Sequence, residues 1–157
     1  IPCRTSTCAC LKVAATVLEV IQGPCEGNQD YFALNTELIE TLNRKMRVQP
    51  RNDCDEDDEL EMKKTCIDIF QALLEGQGRK VAVYERVLSV IHIDIIEMMS
   101  TPPKPIIRNN REIPIEQSEE QITLETESMV LLNMLLAFKP SMADELMNKP
   151  GETSDEA

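Results

Sequence analysis

Glu19 stands where a carboxylate needs a counter-charge. It falls in the last turn before Gly23-Pro24, a pair that ends helices because glycine fits the left-handed cap and proline cannot continue the ladder. The unpaired carbonyls of a helix end carry partial negative charge, so an acid there is unfavourable unless something positive offsets it. A bound cation is one such offset; solvent exposure or a neighbouring lysine is another. A second acidic cluster follows at Asp53, Asp55, Glu56, Asp57, Asp58, Glu59 and Glu61. Its Asp-x-Asp-x-Asp opening suggests an EF-hand, but the template fails. The turn glycine at the sixth position would be Asp58, and the bidentate glutamate at the twelfth would be Lys64. These acids are expected to form a solvated loop and then to favour the N-terminus of the next helix.

Little else in the chain is equipped for chemistry. There is a single histidine, His92, inside an apolar run, and no acid-base or metal partner accompanies it; a satisfied structural histidine is the expectation. No glycine-rich phosphate loop or nucleophile elbow occurs, so no enzyme is expected. Cys8 and Cys10 lie two apart on a helix and face different ways, so they cannot chelate one ion together. With no Cys-x-x-Cys, zinc is not expected. The thiols are expected to be reduced and structural, in the cytosol. Met129, Met134, Met142 and Met147 could form an adaptable binding face or part of a helical core.

The elements that must position these residues read as helices. The chain has 157 residues, 28 acidic and 16 basic, for a net charge of −12, which disfavours a nucleic-acid backbone or an anionic membrane as partner. Tryptophan is absent and aliphatic residues dominate, a composition suited to helix-on-helix packing. No apolar run approaches the roughly eighteen residues of a membrane span, and no signal peptide is visible. The chain enters a helix almost at once, which suggests a fragment of something longer.

Apolar spacing predicts a helix over Ser6–Gln22, capped by Thr5 or Ser6, burying Leu11, Leu18 and Ile21 and carrying Lys12, Glu19 and Gln22 elsewhere. A second, capped by Asn28, should run to about Val48 with Phe32, Leu34, Leu38, Ile39, Leu42 and Met46 inward. A third is expected from about Asp58 to Glu75, with Leu60, Cys66, Ile67, Phe70, Leu73 and Leu74 inside. A fourth over Val81–Met99 is apolar nearly all round and should be the most buried. Residues 101–118, rich in proline, read as an extended linker strapped down by Ile106, Ile107, Ile113 and Ile115. Ser118-Glu119-Glu120-Gln121 resembles a capping box opening a fifth helix to about Phe138, with Met129, Leu132, Leu135 and Leu136 inward. A short helix over Ser141–Asn148 and a frayed acidic tail over 150–157 complete the expectation.

One stretch carries a family resemblance. Glu19-x-Ile21-Gln22-Gly23-Pro24-Cys25-x-Gly27-Asn28-Gln29 resembles the signature of the intracellular calcium-release channels, the ryanodine and inositol trisphosphate receptors, and is closer to the ryanodine-receptor wording. Met62-Lys63-Lys64 with Leu73-Leu74-Glu75-Gly76-Gln77 resembles the helix that follows in that family. Together they cover roughly the first half of the chain. Val20 stands where the family has an aromatic or similar residue, and the second half has no matching motif. The resemblance implies an all-α, armadillo-like solenoid or bundle of about five helices with a proline-rich linker. Residues 1–100 would be an RIH-associated-like module, and 119–149 further helices of the same solenoid.

It also implies a role: a cytosolic module, on the face of the endoplasmic or sarcoplasmic reticulum, of a homotetrameric channel. There it would transmit conformational change to the pore through contacts with other domains of the channel, without touching the membrane itself. Glu19 would be one ligand of an activating calcium site, with Gln22 close by and the remaining ligands supplied from outside this chain. The alternatives are a free-standing helical scaffold that binds a partner peptide along a groove, and a soluble calcium buffer using the acids of 53–61.

Overall fold

The computed structural model describes residues 3–23, 25–47, 56–76 and 81–139. Among these residues seven helices and one hairpin follow in order: α1 (Cys3–Ile21), α2 (Glu26–Leu34), α3 (Leu38–Arg47), α4 (Glu56–Leu74), α5 (Val81–Val90), α6 (Ile93–Met99), β1 (Ile106–Arg108), β2 (Arg111–Ile113) and α7 (Glu119–Phe138). The expected all-α bundle is present. The short helix over 141–148 and the acidic tail lie outside the described residues.

The core is organised around α4. Met62, Cys66, Ile67, Ile69, Phe70, Ala72, Leu73 and Leu74 are buried, too broad a set for one stripe. The helix therefore needs neighbours on several sides, and α1, α2, α3, α5 and α7 supply them. Glu56, Asp57, Asp58 and Glu59 occupy its first turn, where carboxylates complement the exposed amides. Lys63 pairs with Glu59 at 2.7 Å and Lys64 with Asp68 at 3.1 Å, both one turn apart.

Two expected helices are each broken in two. The second stops at Asn35, where the Thr36 hydroxyl donates back to the Phe32 carbonyl at 2.6 Å and accepts from the Leu38 amide at 3.2 Å. A threonine that serves both segments in this way competes with the helical ladder. The break leaves Leu34 exposed rather than inward. The fourth breaks at Ile91-His92, where the His92 amide donates to Asn43 Oδ1 at 3.0 Å instead of to its own helix. The two short pieces bury Val83, Val87 and Ile96 but expose Val81 and Met98, so α4, not this segment, is the most buried element. His92 itself is exposed, its Nε2 3.2 Å from an Arg47 guanidinium nitrogen.

The first helix extends back past Ser6 to Cys3, so Thr5 and Ser6 lie within it. Asn28 lies inside α2 and does not cap it. The capping box at Ser118 is present: its hydroxyl accepts from the Gln121 amide at 3.2 Å, and its own amide donates to Gln121 Oε1 at 2.8 Å. Along α7, Leu132 and Leu135 are buried as expected, whereas Met129 is exposed.

The linker over 101–118 is not strapped down. It forms an antiparallel hairpin with register Ile106↔Ile113, Ile107↔Glu112 and Arg108↔Arg111. Asn109 and Asn110, with φ of 50° and 58°, supply the left-handed pair of a two-residue turn that matches strand twist. Ile106, Ile107, Ile113 and Ile115 are all exposed.

Candidate functional site

The stretch around Glu19 divides into residues that hold the structure together and residues that face outward. Gly23 adopts φ +74°, the left-handed conformation that lets α1 stop without a Cβ clash. Helix ends leave carbonyls without intrahelical donors, and α2 brings side-chain amides to two such ends. Asn28 Nδ2 donates to the Val20 carbonyl at the end of α1, at 2.9 Å. Gln29 Nε2 donates to the Ala72 and Glu75 carbonyls at the end of α4, at 2.7 and 3.1 Å. Gln29 is fully buried, as is Ile21 beside it in the core. The Asn28-Gln29 pair is thus a clasp that joins the ends of α1 and α4 through α2.

Glu19 and Gln22 lie on the other side of this division. Both are exposed; Glu19 lies in the last turn of α1 and Gln22 just past its end, where its backbone amide still donates to the Leu18 carbonyl at 2.9 Å, so their three-residue spacing puts them on one face. No basic residue occupies that turn, so water rather than a lysine of the same turn solvates the carboxylate at the negative end of the helix. Among the described residues, no group of three or more His, Cys, Asp or Glu side chains is placed to hold a metal ion. Of the acidic run, residues 53–55 lie outside the described residues, and 56–59 are the first turn of α4. No described helix is long and apolar enough to cross a membrane.

A second feature had no signal in the sequence, because three separate helices build it. An open apolar groove of about 260 Å³ runs between α1 and α3 over α4. Cys10, Val13 and Val17 line one wall, Leu38 and Lys45 the other, and Met62 and Cys66 the floor. Val13 is 64% exposed at its lip. Burial pushes the Cys66 thiol up to about 12, against the weaker pull of the nearby Lys45 charge, so it stays a neutral, poorly nucleophilic thiol at neutral pH.

No protein-family model, curated protein or solved structure matches the chain.

Proposed function

We propose that the chain is a non-enzymatic helical module from the cytosolic part of an intracellular calcium-release channel of the ryanodine or inositol trisphosphate receptor kind. It contributes the Glu19 carboxylate to an activating calcium site, with Gln22 alongside. The parent is a homotetramer at the cytosolic face of the endoplasmic or sarcoplasmic reticulum, and this module contacts its other domains. One observation carries the reading: in a stretch that resembles the channel signature, the amides of Asn28 and Gln29 fix the end of α1 to the bundle, while Glu19 is left exposed on that fixed end. A carboxylate held on a rigid helix and open to solvent is suited to a cation shared with another domain. Such a cation binds best in one relative arrangement of the two bodies and so shifts the population towards it. The test is Glu19→Gln in the full parent protein. Loss of calcium activation with normal assembly is expected, and unchanged calcium activation overturns the reading.

The apolar groove favours a second reading, a helical scaffold that takes a partner helix between α1 and α3. Val13→Asp, at the exposed lip, separates the two. It leaves calcium activation intact under the first reading and abolishes partner capture under the second.

A further inference from the structure

The strands of the hairpin over 106–113 pack mainly on each other, with no extensive contact to a described helix, and an isolated two-stranded hairpin is at best marginally stable in water. Its register places Arg108 directly opposite Arg111, on the same face as the Ile106↔Ile113 pair. Like charges directly opposite each other are destabilising, and neither arginine has a partner among the described residues. In a two-residue hairpin the pair flanking the turn exchanges hydrogen bonds. The amides of Ile107 on one edge and Glu112 on the other are therefore left pointing outward. Pro105 and Pro114 bracket the ladder and limit it to this short stretch, because proline has no donor to extend it. Ile107, beside the free edge of β1, is 71% exposed.

We propose that this hairpin is a docking site for an extended acidic segment of another protein, which adds as a third strand along β1 and places carboxylates against Arg108 and Arg111. Two features select that occupant. The edge offers main-chain hydrogen bonds, which a strand can use and a lipid cannot. The two guanidiniums call for carboxylates, which they bind as planar forks. The site is independent of Glu19, so it stands or falls apart from the calcium reading.

The test is an amide-resolved NMR titration of the 157-residue chain with two synthetic probes, Ac-Thr-Glu-Val-Glu-Val-Thr-NH2 and its twin with lysine at both glutamates. The acidic peptide is expected to shift residues 104–116 saturably and to bind at least about fivefold more tightly than the lysine twin, the ratio expected from one weak ion pair. Arg108→Ala/Arg111→Ala, two exposed positions, should erase that preference while the signals of the helices stay in place. Absence of shifts in 104–116 overturns the proposal, as does equal binding of the twins. So does a hairpin response to phosphatidylserine vesicles instead of the acidic peptide, or to rising protein concentration alone, which would assign the surface to a membrane or to a second copy.

Discussion

Gln29 shows how one side chain can carry a junction. Its amide serves two carbonyls at the end of α4 from a fully buried position, so removing it deprives the buried Ala72 carbonyl of that donor. Leaving buried acceptors unpaired costs about 1–3 kcal/mol. Gln29→Leu keeps the volume and should lower Tm by roughly 3–10 °C in a calorimetric scan, at a few degrees per kcal/mol for a chain of this size. Asn28→Ala opens a bond at an exposed helix end and should cost less than half as much; equal losses would show that burial is not what sets the worth of the Gln29 bonds. The cysteines make a second residue-scale contrast. Cys8 and Cys25 are exposed, while Cys66 is buried with its thiol pushed up to about 12. Brief iodoacetamide treatment at neutral pH, read by peptide mass spectrometry, should alkylate Cys8 and Cys25 and spare Cys66 until denaturant is added. Early labelling of Cys66 would mean that the groove floor opens in the native state.

Elements were legible in the sequence where their causes are local, and illegible where the causes lie far along the chain. The Ser118 box and the acidic first turn of α4 are local chemistry, and both stand as expected. The break at His92 depends on Asn43, 49 positions away, and the role of Gln29 depends on Ala72, 43 positions away; no periodicity announces either. At the hairpin a local signal did exist, Asn109-Asn110 between two isoleucine-bearing triplets, but the surrounding prolines concealed it. The same holds for the candidate site. The exposed turn of Glu19 and Gln22 follows from Gly23, whereas the apolar groove needs α1, α3 and α4 together. One tie between elements has a clear dependence on pH. Arg86 on α5 is ion-paired with Glu40 on α3. Its hydrogen bond holds the Glu40 carboxyl below the ordinary value of 4.5, assisted by a backbone hydrogen bond and by charge attraction, against the opposing effect of burial. A carboxyl lowered in the folded state stabilises fully above its unfolded pKa, and that stabilisation is lost as pH falls through the folded value. Thermal melts should therefore show Glu40→Gln less stable than the parent chain near neutral pH and converging with it as acid carries the pH down through the lowered Glu40 value. A constant gap across that range would remove the pair from the acid response.

At the scale of the whole molecule, the bundle holds Glu19 in place but does not complete a site around it. Calcium takes six to eight oxygen ligands. The last turn of α1 offers one carboxylate and the neighbouring amide of Gln22, with no metal-sized cluster of acids among the described residues. The proposed calcium role takes its remaining oxygens from other domains, and that fixes what the isolated chain should do. A ligand that binds only the folded state stabilises it by RT ln(1 + [L]/Kd). With a Kd above about 1 mM, calcium at 1 mM adds less than about 0.4 kcal/mol, a Tm shift of no more than roughly 2 °C. A complete site with a Kd near 10 μM would add about 2.7 kcal/mol and raise Tm by at least about 5 °C. The expected outcome is the smaller shift, unchanged in Glu19→Gln. A large shift abolished by Glu19→Gln would mean that the chain closes a site by itself, and the proposal that calcium joins this module to a second domain would fall. A large shift that survives Glu19→Gln would place the ion elsewhere in the chain and leave the last turn of α1 without a calcium role.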